Sequence, residues 1–339
     1  MTRAWRGVFN LGGLAVLLWA LWHLLQWGLV NAVWQADADT CQALSQAGGS
    51  GACWGVVPAK AWPILMGHYP DGQGWRPVLM VGLSLAMLTA WALVPAPWRL
   101  RAWAFAGVVW LPLSGLLMHG GMAALPVVPS ADWGGLPLTL LLFFGAWWLS
   151  WPVAVLLALA RQQRGLLGML ATAWIEVIRG VPLITLLLAC VLALPLVLPE
   201  AYTPSVFLRA GLALLLFSSA YLAEVLRGGL QTVAGEQVEA GTVLGLGYWG
   251  IQRRIVLPQA LRIALPGMTG HAIGLLKDTS LVVVVGLHEL TGGLSLTMAG
   301  DPIWRPHQFE AYLFVGLIYA LLCLGLSWGG RRLERRWLR

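Results

Sequence analysis

Gly229 to Pro258, GLQTVAGEQVEAGTVLGLGYWGIQRRIVLP, is a polar interruption between two long apolar runs, and its spacing predicts a compact helix–turn–helix. Glu236 and Glu239 fall in the first turns of a short helix, where carboxylates suit the positive end of the helix dipole. Gly245 and Gly247 end that helix, because glycine accepts the left-handed conformation at which helices commonly terminate. A second helix begins near Tyr248 and is restricted at Pro258, which lacks the N–H that a helix interior needs. The expected product is a small, rigid knob joined at both ends to apolar helices.

Those apolar runs set the solvent. The chain has 339 residues, 59% of them hydrophobic and 10% charged, whereas a soluble domain carries about a quarter of its residues as charges. So much apolar surface with so little charge calls for a bilayer. About 20 mostly apolar residues cross the hydrocarbon as a helix. Stretches of that kind lie near 10–31, 78–96, 102–121, 136–160, 180–198, 206–226, 266–287 and 311–329. The expected fold class is an all-α polytopic membrane protein with about eight transmembrane helices. The first run is longer than the apolar core of a signal peptide and no clean cleavage site follows, so it is expected to stay as an anchor.

The chain divides near residue 134. Residues 1–134 form an extension with three spans and an outward loop at 32–76, rich in Gly, Ala, Trp and small polar residues and without a regular helical period. Residues 135–330 hold five spans, interrupted by the cytoplasmic segment 227–264, and 331–339 is a basic tail. Orientation follows from the arginines. With the N-terminus inside, Arg161, Arg164, Arg227, Arg253, Arg254 and Arg262 face the cytoplasm together with basic residues at both termini; the other side keeps Lys60, Arg76, Arg209 and Arg305. Both termini are therefore expected in the cytoplasm. The net charge of +7 then reads as a topology signal, not as a nucleic-acid surface, because the basic residues are scattered over membrane-proximal loops.

Cys190 and Cys323 sit inside apolar runs as packing residues. Cys41 and Cys53 share the outward loop, where an oxidising compartment would join them as a disulfide; the other reading is two free thiols. No metal spacing is present. Trp34, Trp54, Trp62, Trp75, Trp133 and Trp304 fall near ends of spans, where amphipathic rings suit the headgroup layer. His23, His119 and His271 have no companions at ligand spacing and read as packing or interfacial residues.

The spacing within the knob is also specific. Glu239-Ala240-Gly241, three residues, Gly245, nine residues, then Ile255-Val-Leu257-Pro258 resembles the EAA loop of ABC-importer permeases. Gly241 stands where that family usually has a second Ala. The resemblance implies a type I importer permease core and a coupling helix, Glu239 through Pro258, that docks into a groove on a cytoplasmic ATPase. Ile178-Arg179-Gly180-Val-Pro182, Tyr221-Leu-Ala-Glu224-Val-Leu-Arg227-Gly228-Gly229 and Leu276-Lys277-Asp278-Thr279-Ser280-Leu281 resemble signatures of polar amino acid permeases. Gly51-Ala-Cys53-Trp54, Tyr69-Pro70 and Trp75-Arg76-Pro77 on the extension resemble the M-type subunit of general L-amino-acid permeases.

By that resemblance the partners are a cytoplasmic ABC ATPase dimer, a second permease subunit in a heterodimer, a periplasmic amino-acid-binding protein and membrane lipid, with no nucleic acid. The location is the bacterial inner membrane. No Gly-x-x-x-x-Gly-Lys-Ser/Thr loop occurs in the sequence, so no cofactor is expected on this chain, and ATP and Mg belong to the ATPase. The chain is read as a transporter subunit without catalytic residues of its own.

Ionisable residues within spans cost roughly 2.5–3.5 kcal/mol on insertion scales and are candidates for function. Lys277 and Asp278, followed by Thr279 and Ser280, lie within the seventh span, which the resemblance places along the translocation route. Glu224 and Arg227 share a helical face, as part of the substrate path or gate or as an intrahelical clasp. Arg179 reads as a snorkelling or capping residue. Gly270 and Gly274 stand where the family often has Asn, and their spacing favours close helix contact. Lys277, Asp278 and Glu224 also motivate the alternative of a proton- or sodium-coupled secondary transporter.

Overall fold

The computed structural model describes residues 3–34, 37–46, 51–93, 99–122, 125–233 and 235–337. The ends of the expected span at 78–96 and of the expected basic tail, parts of the loop expected to face outward, and Ala234 in the segment expected to be cytoplasmic lie outside the described residues. The chain folds as helices α1 (Arg3–Leu25), α2 (Ala38–Gln46), α3 (Val56–Met66), α4 (Trp75–Leu93), α5 (Arg99–His119), α6 (Gly135–Arg161), α7 (Leu166–Gly180), α8 (Leu183–Leu188), α9 (Leu194–Val197), α10 (Val206–Gln231), α11 (Gly235–Val243), α12 (Tyr248–Ile251), α13 (Leu257–Asp278), α14 (Leu290–Ala299) and α15 (Gln308–Trp337). Among the described residues the extended pairing is confined to two isolated bridges, Val33 with Cys53 and Gly135 with Glu289.

Among the described residues, five segments are long and apolar enough to cross a bilayer: Asn10–Val30, Gly135–Arg161, Val206–Gln231, Tyr248–Val285 and Arg305–Arg335. The pair Leu166–Gly180 and Leu183–Val197 is apolar enough only when taken together and is bent by 104°, as in a broken span or a re-entrant loop. The sequence suggested a span at 180–198 alone. It missed α7 because 15 residues between a polar turn and Pro182 are too few to count as a span. Pro182 makes the bend, since the residue ahead of a proline avoids the helical region and Val181 is extended. The expected crossings at 78–96 and 102–121 fall on α4 and α5, whose apolar stretches Trp75–Thr89 and Phe105–His119 lie among the residues with described side chains.

The chain forms two units, residues 1–64 with 294–317, and residues 65–293 with 318–339. In the first, the loop without a readable period holds α2 and a strand-like turn. Asp37 starts α2 by accepting the Thr40 N–H at 3.0 Å and the Thr40 hydroxyl at 2.6 Å. Val33 accepts the Trp54 N–H at 2.9 Å and donates to Ala52 O at 2.8 Å. Cys41 and Cys53 are joined as a disulfide, and Lys60 pairs with Asp301 at 2.6 Å. That contact, a charge-assisted hydrogen bond, holds the Asp301 carboxyl below the usual carboxylate range.

In the second unit α6, α7, α10 and α13 enclose the core. Ala154, Ala158, Ala223, Ala260 and Ala264 lie buried among Leu222, Leu226, Ile175 and Met268, and such small side chains let helices in a membrane approach closely. Arg76, expected on an outward loop, is instead fully buried. It caps the last turn of α5, donating from Nε to Leu117 O at 2.6 Å and from Nη1 to Pro126 O at 3.0 Å, where a cation suits the negative end of the helix.

Candidate functional site

The knob is built as its sequence dictates. α11 ends at Gly245, which has φ +76°. Leu246 N–H donates to Gly241 O at 3.0 Å and Gly245 N–H to Thr242 O at 2.9 Å, the bond pair that closes a helix through a left-handed glycine. α12 then begins at Tyr248. Pro258 restricts the next helix less than expected. Gln252–Val256 forms a wider turn in which each bond spans five residues, and this makes room for the proline ring in the first turn of α13. The second arm of the knob therefore runs into a membrane-crossing helix without a break.

Glu236, Glu239 and Ala240 lie exposed on α11. Val243, Leu244 and Trp249 are also exposed, at 87%, 78% and 56%, so the tip presents carboxylates beside uncovered apolar side chains. The inner side is tied down. Gly241 is buried, and a Cβ there would stand 3.1 Å from both Ile251 Cγ1 and Ile255 Cδ1. Gln259 Nε2 donates to Gln237 Oε1 at 2.6 Å, and Gln163 Nε2 to the Tyr248 hydroxyl at 3.0 Å. Ile255, Leu257 and Pro258 are half-buried at the root. Where α10 leaves the membrane toward the knob, a Cβ on Gly229 would come within 2.3 Å of Ala260 O. Only glycine permits that crossing of α10 with α13.

Just above this root, Glu224 gathers three arginines from three helices. Its Oε2 accepts from Arg161 Nη1 at 2.8 Å and faces Arg179 Nη1 at 3.3 Å. Its Oε1 accepts from Arg227, with Nε at 3.0 Å and Nη2 also in contact. Arg161 in turn holds Glu176 at 2.9 Å. Glu224 and Arg227 thus pair within α10, inside a larger node that links α6 and α7. Arg179 neither caps nor snorkels freely: it also lies over the Tyr221 ring at 5.5 Å. Tyr221 stacks on His271 at 5.9 Å, whose Nε2 lies 2.9 Å from Ser218 Oγ, itself 3.1 Å from Ser150 Oγ. A polar thread therefore runs from the charge node into the apolar core, with His271 hydrogen-bonded and not merely packed. A carboxylate committed to three guanidinium groups is poorly suited to carrying protons or sodium.

Lys277 is exposed at the end of α13, Asp278 is half-buried, and Thr279 and Ser280 turn back onto Leu276 O and Lys277 O, each at 2.7 Å. Gly270 and Gly274 meet nothing within 4 Å, contrary to the close contact expected of their spacing. Gly267, one turn earlier, makes that contact, with a Cβ there 2.9 Å from Val225 Cγ1. Gly270 and Lys277 are exposed on α13 and Gly274 is half-buried, with open space where a Cβ on either glycine would stand.

Sequence reading missed Glu289, which is fully buried. Its Oε1 accepts the Thr291 and Gly292 N–H groups at 2.9 and 3.1 Å. Its Oε2 accepts the Tyr319 hydroxyl at 2.6 Å and the Thr139 hydroxyl at 3.2 Å. Four donors make this carboxylate a lock at the start of α14. The available signal was an acidic residue just ahead of an apolar helix.

Residues 150–339 match the family model described as binding-protein-dependent transport system inner membrane component. The inner membrane amino-acid ABC transporter permease protein YhdY of Escherichia coli is 37% identical over 94% of this chain and 87% of its own length. The glutamate/glutamine/aspartate/asparagine transport system permease protein BztC of Rhodobacter capsulatus is 34% identical over 96% of this chain and 88% of its own. A solved chain from an amino acid ABC transporter crystallised with histidines overlays with a TM-score of 0.53 at 31% identity, covering 60% of this chain and 92% of that one.

Proposed function

This chain belongs to the family of inner membrane components of binding-protein-dependent transport systems, and from that premise we propose that it is the permease subunit that moves L-amino acids inward in an ATP-driven importer. By the resemblance to ABC-importer permeases, a second permease chain, an ATPase dimer carrying ATP and Mg, and a periplasmic amino-acid-binding protein complete the machine. Amino acids are the cargo named for both full-length relatives. Both termini lie in the cytoplasm, on the side that holds the knob and most arginines.

The observation that carries this reading is the knob: an exposed tip of Glu239, Val243, Leu244 and Trp249 on a root that cannot shear. Exposed apolar side chains rimmed by charge mark a protein contact. Pushed by an ATPase, the tip would move α10 and α13 together through Gly229, Gly241 and the Gln237–Gln259 bond. The Glu224 node would act as the inner gate, because it binds α6, α7 and α10 at the mouth of the route. Lys277 and Asp278 supply the two charges that a zwitterion needs, and the open stripe at Gly270 and Gly274 suits packing against the second permease chain. Attributing hydrolysis to the partner follows from the missing phosphate loop.

The test is co-purification followed by reversal of one charge. The tagged chain is expected to bring down an ATPase and a second permease, and Glu239→Lys to release the ATPase while the chain stays in the membrane. Undiminished ATPase recovery and uptake in Glu239→Lys would remove the docking role. Substantial ATP turnover by the isolated chain would refute the assignment of hydrolysis to a partner.

A further inference from the structure

A second cluster that the importer reading does not use joins the loop at 32–76 to the start of α15. Cys41 Sγ, Cys53 Sγ and a ring nitrogen of His307 lie within 4.8 Å of one another, and all three residues are buried. His307 is 8% exposed and Glu310 5%. His307 Nδ1 stands 3.8 Å from Glu310 Oε1, and that oxygen accepts the Cys53 N–H at 3.0 Å. His307 Nε2 is buried without a hydrogen-bond partner among the described residues. A buried imidazole nitrogen left unpaired is costly and asks for a ligand. A carboxylate beside the imidazole is the usual companion of metal-bound histidine, and a shift of a few tenths of an ångström would bring Glu310 within hydrogen-bond reach of Nδ1. All four residues belong to the unit of residues 1–64 with 294–317.

We propose that Cys41, Cys53 and His307 form a two-state site, a disulfide when oxidised and, when reduced, a dithiolate–imidazole site for a Zn2+ or Cu+ ion, with Glu310 orienting the imidazole. Reduction by a dithiol breaks the S–S bond. Two electrons and two protons pass to the cysteines, and the dithiol closes to its own disulfide. Binding of the cation then displaces the two thiol protons to solvent and forms two metal–sulfur bonds and one metal–nitrogen bond. Thiolate and imidazole ligands select these cations over Mg2+ and Ca2+. In either state the site fastens α2 and the Gly51–Trp54 turn to the segment that leads into α15, so the strap survives a change of redox condition.

The full chain in detergent, carrying Cys190→Ser and Cys323→Ser to remove the two free thiols, is reduced with dithiothreitol. After the reductant is removed anaerobically, it is titrated with Co2+, a spectroscopic probe that Zn2+ should displace. One equivalent is expected to bind with a thiolate-to-cobalt charge-transfer band. Oxidised chain and Cys41→Ser/Cys53→Ser should lack the band, and His307→Asn should weaken binding at least about tenfold. A reduced chain with two titratable thiols and no band would overturn the proposal, as would an unchanged affinity in His307→Asn. Limited proteolysis of the loop gives a second readout. Zn2+ should restore protection lost on reduction, and failure to restore it would also overturn the site.

Discussion

Replacing Gly229 with alanine should damage the root of the knob, whereas the same change at its neighbour Gly228 should not. An added Cβ at Gly229 would lie 2.3 Å from Ala260 O and 3.2 Å from Ala264 Cβ, while at Gly228 nothing stands within 4 Å. Both glycines sit in α10, so both substitutions gain up to about 1 kcal/mol of helix propensity. A carbon and a carbonyl oxygen settle no closer than about 3.3 Å, so α10 and α13 must part by roughly 1 Å at this crossing. Overpacking of this kind costs about 1–3 kcal/mol. Because the obstacle is backbone, the upper end applies, and Gly229→Ala should lose about 2 kcal/mol net. At 1.4 kcal/mol per factor of ten, the competent arrangement falls by at least about tenfold. The assay is uptake and ATP hydrolysis by the reconstituted complex, with thermal melting of the purified chain. Gly229→Ala should melt earlier and transport about tenfold less while its membrane level holds, and Gly228→Ala should match or slightly exceed the parent. Indistinguishable melting and uptake in the two variants would refute the close-approach argument.

Glu224→Gln leaves three guanidinium groups without their common counter-charge. Losing one partner of a buried pair costs about 3–5 kcal/mol, and side-chain exposures of 19–31% lower this to roughly 1–3 kcal/mol. A fall in melting temperature, partly recovered by adding Arg161→Gln, should appear in a double-mutant cycle. At Gly241 the atoms in the way are side-chain ends that can shift, so Gly241→Ala should stay within about 1 kcal/mol of the parent and retain ATPase coupling. Lys277→Met should reduce uptake far more than assembly, measured as transport per complex recovered; equal loss of both would make Lys277 structural.

The first arm of the knob was legible because its determinants are local, carboxylates in a first turn and Gly245 at a left-handed stop, whereas the wide turn that lets the helix run through Pro258 leaves no mark in the sequence. The Glu224 node was only half legible. Arg227 is three residues away on the same helix, but Arg161 and Arg179 arrive from other helices and their sequence positions say nothing of where they meet. The two glycines at 228 and 229 look alike in the sequence, and only the crossing with α13 separates them. At Gly270 and Gly274 the spacing suited to helix contact finds no partner atom of the described residues within 4 Å of an added Cβ, so it does not say which helix it would meet. In the loop at 32–76, the nine-residue α2 is too short for a hydrophobic period to emerge.

The wide turn at Gln252–Val256 has a mechanical consequence. With it, the backbone from Tyr248 to Asp278 is one uninterrupted strut about 45 Å long at 1.5 Å per residue. A tilt of about 5° at the knob end would swing the far end by roughly 4 Å over that length, without any loop to absorb the motion. Torque delivered at Trp249 is therefore felt at Lys277 and Asp278 directly, and the two ends of the rod cannot change position independently.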